Sequence, residues 1–137
     1  MRVLISGASG LIGSELAEQL NQKGHEVFRL VRSTPLNPNE VEWHPEKGFL
    51  TPGTIDTIDA VVNLAGATTG RLPWTAKYKK QLVSSRISST QTLVTAINSS
   101  ATPPKVFISG SASGFYGDRA DELLDESTTK GSGFLSD

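Results

Sequence analysis

Arg2-Val3-Leu4-Ile5-Ser6-Gly7-Ala8-Ser9-Gly10-Leu11-Ile12-Gly13 is the stretch whose reading decides the fold. Arg2 to Ser6 is a short aliphatic, β-branched run of the kind that suits a strand covered on both faces, and Gly7 stops it in a tight turn. From Leu11 the period changes. Ile12, Leu16 and Leu20 recur every fourth residue while Glu15, Glu18, Gln19 and Gln22 fill the opposite side, and Gly24 supplies a C-terminal stop. Glu26 to Val31 reads as a second strand. The opening unit is therefore strand, glycine turn, helix, strand, with a right-handed crossover.

Outward from that unit the alternation continues. Ser33 to Thr57 holds four prolines (Pro35, Pro38, Pro45, Pro52) and reads mostly as loop, with Val41-Glu42-Trp43 the one candidate strand. Asp59 to Gly66 is a buried strand running into a small-residue turn. After a Pro73-Trp74 corner, Ala76 to Asn98 reads as one long helix, because Val83, Ile87, Thr90, Val94 and Ile97 step by four, three, four and three. Its many Ser and Thr residues lower intrinsic helix propensity, so packing has to hold it. Lys105 to Ser109 is a fifth strand leading into Gly110-Ser111-Ala112-Ser113-Gly114, and Asp118 to Asp137 reads as acidic loop. Strand alternating with helix predicts an α/β fold, a Rossmann-type doubly wound parallel sheet. Residues 1–137 are read as a single NAD(P)-binding Rossmann domain. No final helix or strand closes the sheet, so the expectation is the N-terminal part of a longer protein, truncated before its C-terminal substrate-binding part.

Composition narrows the function classes. A formal net charge of -1 with 20% charged residues gives no basic field for nucleic acid, so small molecules are the expected partners. The chain has no Cys and two isolated His (His25, His44), which removes disulfide and thiolate chemistry and leaves no expected metal site. The N-terminus lacks a signal-peptide core, and no twenty-residue apolar span occurs. No membrane association is expected, and the location read from this is cytoplasmic.

The chemistry begins at the glycines. In the G-x-x-G-x-x-G loop, Gly7 permits the turn, Gly10 lets a pyrophosphate approach the backbone, and Gly13 lets helix and sheet pack closely. Gly7, Ser9, Gly10, Leu11, Ile12 and Gly13 are accordingly the candidate phosphate-side residues, since exposed N–H groups and the positive end of a helix bind anions. A NAD site usually places Asp or Glu at the end of the second strand to accept from the ribose hydroxyls. Here Val31-Arg32-Ser33-Thr34 contains no acid. Arg32 offers a fork for a 2′-phosphate and Ser33 a further hydrogen bond, so NADP (NADPH) is favoured over NAD, with a solvated Arg32 as the alternative. Leu64, Ala65 and Gly66, after Asn63, are small enough to let backbone run beside the coenzyme's inner ribose.

With these motifs in place the sequence resembles the extended, atypical short-chain dehydrogenases/reductases of the NAD-dependent epimerase/dehydratase superfamily. More narrowly, it resembles the subgroup of epimerase family proteins, labelled sugar-nucleotide epimerases or cell-division inhibitor homologues. The matching pieces are Ile5–Gly13, Gly24–Val27, Leu30–Arg32, Val62–Ala67, Trp74 through Ser85-Arg86-Ile87 to Thr90, and Val106–Gly117. The resemblance implies that Gln81 and Arg86 lie near the coenzyme, although Arg86 read alone is also a solvated helix charge. It implies that a Ser in the turn after the fifth strand hydrogen-bonds the substrate oxygen during hydride transfer. Ser111 is the nearest match, with Ser109 and Ser113 open as neighbours. The superfamily's Tyr-x-x-x-Lys pair is missing: four residues beyond Tyr78 stands Leu82, and four beyond Tyr116 stands Ala120. By order along the fold the pair would fall near Phe134 to Asp137 or beyond. Two functions stand open at this point. One is an NADP-dependent oxidoreductase or sugar-nucleotide epimerase acting on a hydroxylated small molecule; the other is a weakly active or inactive NADP-binding regulator that acts through a protein partner. Oligomeric state is not legible.

Overall fold

The computed structural model describes all residues, 1–137. Strands β1 (Arg2–Ser6), β2 (Glu26–Val31), β3 (Glu40–His44), β4 (Phe49–Leu50), β5 (Ala60–Asn63) and β6 (Val106–Ser109) form one sheet in the order β4-β3-β2-β1-β5-β6. All pairings are parallel except β3 with β4. Helix α1 (Leu11–Gln22) joins β1 to β2, and α2 (Ala76–Ser99) joins β5 to β6. The chain thus winds from β1 through β2 and β3 to one side, then crosses back to build β5 and β6 on the other. This reversal beside the central strand is the doubly wound Rossmann arrangement expected from the alternation.

Two cores flank the sheet, and strand pleat assigns residues to them. Val3, Ile5, Val27, Ala60 and Val62 point to one face, where Ala8 and Ala17 join them with Leu16 and Leu20 of α1 packed alongside. Their sequence neighbours Leu4, Phe28, Leu30 and Val61 point to the other, onto Trp43, Ile55, Ile58 and Leu93 of α2. Alternate residues facing opposite ways, both apolar, is why these strands read as continuous hydrophobic runs rather than as alternating ones.

Several boundaries move. Between Ser33 and Thr57 the structure adds β4, antiparallel to β3, and short 3₁₀ turns at Pro45–Lys47 and Ile55–Thr57; a two-residue strand is too short for periodicity to reveal. Ile12, expected on the inner side of α1, is 69% exposed, and Gly13 and Ala17 are the buried residues instead. The larger correction concerns α2. Val83, Ile87 and Val94 of the apolar stripe are exposed, whereas Tyr78, Leu82, Ser89, Thr92 and Leu93 are buried. The inner face lies roughly a third of a turn round the helix from the stripe. It carries hydroxyls because it faces loop backbone as well as side chains. Strand β6 is exposed along its whole length, including Phe107 and Ile108.

Residues 110–137 contain no helix or strand beyond a 3₁₀ turn at Ser113–Tyr116. They nonetheless fold back on themselves. The Gly131 amide donates to the Phe115 carbonyl at 2.9 Å, and the hydroxyl of buried Ser136 donates to the Gly114 carbonyl at 2.9 Å. Phe134 sets its ring edge-on to Trp74, 5.9 Å between centroids, with the Lys79 ammonium 5.0 Å from its centre. No helix is long and apolar enough to cross a membrane.

Candidate functional site

The carboxyl ends of parallel strands at a topological switch point form a crevice. Here that crevice lies between β1 and β5, the strands from which the two halves of the sheet diverge. The glycine loop rises from β1 and the Leu64–Gly66 loop from β5, and the two touch. Gly7 has φ +71, and a Cβ on it would stand 2.7 Å from the Leu64 carbonyl oxygen, so glycine is required both by backbone conformation and by approach. A Cβ on Gly13 would fall 2.2 Å from the Gly7 carbonyl oxygen and 2.9 Å from the Ala8 Cα. Without a side chain there, α1 starts directly against the strand-ending turn.

The start of α1 is left unfinished. Its N-cap is Gly10, which has no side chain to accept a helix amide, and the first turn holds no acid. Gly10 donates to the Gly7 carbonyl and Ser14 to the Gly10 carbonyl, but the amides of Leu11, Ile12 and Gly13 find no acceptor in the chain. Leu11 and Ile12 are 91% and 69% exposed. Helix α2 shows the contrast, since the Thr75 hydroxyl oxygen accepts from the Tyr78 amide at 3.2 Å. A helix end that presents bare amides and an unneutralised dipole beside a groove is suited to an anion.

The other expected residues fall at different distances from this mouth. Ser9 is exposed on the glycine loop itself. Arg32 and Ser33 follow β2, the strand next to β1, and are exposed; Arg32 joins no ion pair. Arg86 reaches the β5 loop: its guanidinium donates to the Ala67 carbonyl at 3.2 Å and would lie 3.1 Å from a Cβ on Gly66. Gln81 is exposed on α2, and its side-chain amide bonds to nothing in the chain. Ser111 follows β6, whose continuation is anchored to β5 by the Gly110 amide donating to the Asn63 carbonyl at 2.8 Å. Its hydroxyl is exposed and makes no hydrogen bond, while the Ser109 hydroxyl already accepts from Asn63 Nδ2 at 3.4 Å. The hydroxyl of buried Tyr78 donates to the Thr68 carbonyl at 2.6 Å.

Beneath the mouth is a polar centre that sequence reading did not single out. Ser6 is fully buried, and its hydroxyl donates to Asn63 Oδ1 at 2.6 Å while accepting the amides of Leu64 and Ala65, each at 3.2 Å. Asn63 Nδ2 donates onward to Thr90 Oγ1 at 3.1 Å. Buried polar groups persist only when paired, and this set is paired throughout. It ties the ends of β1, β5 and β6 to α2 directly below the crevice. A polar residue closing each of three apolar strands (Ser6, Asn63, Ser109) was the available signal.

Comparisons with known proteins agree with this geometry. A model of the NAD dependent epimerase/dehydratase family matches residues 3–134. An epimerase family protein of Mycobacterium leprae is 42% identical over 134 residues, which is 98% of this chain and 43% of that protein. Among solved structures, human epimerase family protein SDR39U1 (isoform 2) with NADPH superposes with a TM-score of 0.86 at 32% identity, over 99% of this chain and 45% of the human one. The nucleoside-diphosphate sugar epimerase of Corynebacterium glutamicum gives a TM-score of 0.82 at 36% identity, over 99% of this chain and 28% of that one. The chain therefore spans less than half the length of these relatives.

Proposed function

Since the chain belongs to the NAD dependent epimerase/dehydratase family, we propose that its crevice holds a nicotinamide dinucleotide, NADP(H) in preference to NAD(H), for redox chemistry on a hydroxylated small molecule such as a sugar nucleotide. One observation carries the reading: the bare amides of Leu11, Ile12 and Gly13 at an uncapped helix start, facing a loop that glycine alone can approach. These residues fit a diphosphate. Gly7, Ser9, Gly10, Leu11, Ile12 and Gly13 would hold it, Leu64, Ala65 and Gly66 would flank the inner ribose, and Arg32 with Ser33 would meet the 2′-phosphate. Gln81 and Arg86 complete the set from α2. The NADPH carried by the human relative supports the coenzyme choice. When bound, the coenzyme supplies the capacity to give or accept a hydride.

The chain's own contribution to chemistry is orientation. The Ser111 hydroxyl, exposed and without a partner at the same edge of the sheet, would hydrogen-bond a substrate oxygen and fix the reacting carbon. It is poorly matched as an acid or base near neutrality, because a serine hydroxyl needs a neighbour to take its proton. A second reading rests on that point. With no hydrogen-bonded neighbour beside the Ser111 hydroxyl and Tyr78 committed to a backbone carbonyl, that reading is a weakly active or inactive NADP-binding regulator working through a protein partner. In either case the protein would act in the cytoplasm, without nucleic acid or membrane. Titration of the intact protein with NADPH and with NADH tests the assignment. Tighter NADPH binding that becomes equal in Arg32→Ala is expected, and equal affinity in the wild type refutes the preference. Turnover of bound NADPH across a panel of carbonyl substrates separates enzyme from regulator.

A further inference from the structure

Charge is unevenly shared along the chain. From Ala60 to Gly117 there are six cations (Arg71, Lys77, Lys79, Lys80, Arg86 and Lys105) and no Asp or Glu, while the remaining residues set seven cations against all fourteen acids. None of the chain's ion pairs falls inside that stretch. Three of its lysines sit where the helix dipole opposes them, since Lys77, Lys79 and Lys80 occupy the first turns of α2 and no acid accompanies them. Two of the six cations are already committed: the Arg86 guanidinium donates to the Ala67 and Leu82 carbonyls, and the Lys79 ammonium rests on the Phe134 ring. Lys105 precedes β6 at the opposite, amino edge of the sheet, where its amide donates to the Asp59 carbonyl. Arg71 is exposed and joins no ion pair, yet it is held in place. Its guanidinium lies 5.4 Å from the centre of the Tyr78 ring, and that ring is buried with its hydroxyl on the Thr68 carbonyl. A guanidinium resting on a fixed aromatic face keeps its N–H fork for an anionic acceptor.

We propose that Arg71 takes a phosphoryl group of the substrate and so selects phosphorylated over neutral hydroxylated compounds, a role that rests on the coenzyme and substrate reading above. Its place in the fold supports this. The loop holding Arg71 leaves the carboxyl end of β5, and the turn holding Ser111 leaves that of its parallel neighbour β6, so both stand on the edge of the sheet where ligands bind. Two adjacent residues bridge them: Phe134 packs edge-on to Trp74 at 5.9 Å, and a Cβ on Gly114 would meet the Leu135 side chain at 3.1 Å. Ser111 then orients the reacting hydroxyl while Arg71 anchors the charged end of the same compound. The unpaired cations around Arg71 favour a multiply charged phosphoryl group over a single carboxylate, because attraction grows with charge and no nearby acid in the sequence competes. Arg32 follows β2, in the other half of the sheet, so the two arginines answer to different phosphates.

The test saturates the intact protein with NADPH, so that the start of α1 is occupied, and then titrates inorganic pyrophosphate, UDP-glucose, glucuronate and glucose by calorimetry. Pyrophosphate and UDP-glucose are expected to bind, and Arg71→Ala to weaken both about tenfold, the size of one lost charge-assisted hydrogen bond, with NADPH affinity unchanged. Arg71→Lys, a point charge without the fork, is expected to recover part of the loss. Lys105→Ala removes the same charge from the far edge and is expected to leave both affinities alone. UDP-glucose bound more tightly than pyrophosphate identifies a sugar nucleotide as the occupant, and the reverse order identifies a smaller phosphate ester. The anchor is overturned by equal affinities in wild type and Arg71→Ala, by an equal loss in Lys105→Ala, or by glucuronate binding more tightly than pyrophosphate. Wild type that binds no pyrophosphate, or a parallel loss of NADPH in Arg71→Ala, overturns it too. Wild-type protein that binds no NADPH overturns the coenzyme reading instead, and comparing wild type with Arg71→Ala for UDP-glucose still decides the anchor.

Discussion

Replacing Gly13 by alanine sets helix propensity against contact, and the structure decides which wins. Alanine in a helix is favoured over glycine by about 1 kcal/mol, so an exposed site would gain stability. Gly13 is buried, and the added carbon would lie 2.2 Å from the Gly7 carbonyl oxygen and 2.9 Å from the Ala8 Cα. Both are backbone atoms of the turn that joins β1 to α1, and neither can rotate away. Relief requires the helix to lift from the sheet. Overpacking of this kind costs roughly 1–3 kcal/mol, and backbone meeting backbone belongs at the upper end. After the propensity gain the net destabilisation is about 2 kcal/mol, which at this chain length lowers Tm by roughly 6–10 °C. Lifting α1 also moves the bare amides of Leu11 and Ile12, so NADPH binding should fall together with stability. Urea unfolding and coenzyme titration on the same preparation measure both. Gly24→Ala is the control: at φ +78 with no heavy atom within 4 Å, it suffers conformational strain alone and should leave coenzyme binding untouched. A Gly13→Ala protein that melts at or above the wild type, with NADPH affinity intact, refutes the argument for a tight strand-helix turn.

Ser6→Ala strips the Ala65 amide and the Asn63 side-chain Oδ1 of their buried partner, while the Leu64 amide keeps the Ser6 backbone carbonyl, and should cost about 2 kcal/mol in urea unfolding with an unchanged m-value. A loss below about 0.5 kcal/mol would mean that the polar centre does not hold the crevice. Leu93→Ala, at a fully buried position where α2 meets the sheet, should lower stability by about 2–5 kcal/mol without altering the ratio of NADPH to NADH affinity; a changed ratio would tie discrimination to α2 packing rather than to Arg32. The Asp125 carboxylate accepts from the Ser127 hydroxyl and amide and from Thr128, which lowers its pKa below the usual aspartate value. A depressed folded-state pKa makes the turn's contribution complete above the unfolded value and lost as pH falls through the folded one. An NMR titration should therefore find Asp125 protonating late on acidification and Ser127→Ala moving it back up, whereas an unmoved midpoint would remove Ser127 as the cause.

What was legible in the sequence was local. Strands β1 and β2 and helix α1 could be bounded from residues within a few positions of one another, because a glycine turn and an apolar run need no distant partner to be recognised. The bare helix start follows from the same short stretch. The polar centre was not legible, because Ser6, Asn63, Thr90 and Ser109 have meaning only once β1, β5, β6 and α2 are brought together. Helix α2 shows the deeper reason. Hydrophobic periodicity locates a face that packs on side chains, and it found Val83, Ile87 and Val94. The face turned inward also serves irregular backbone that needs partners, so hydroxyls stand where a purely packing helix would carry leucines: Ser85 and Ser89 bond the loop after β5, and Thr92 bonds the Pro45 carbonyl between β3 and β4. Those residues read as weak helix formers for the very reason that they bond backbone. A serine-rich inner face on a long helix is therefore evidence of an irregular loop held against it, and in a doubly wound sheet that loop belongs to the strand bordering the crevice.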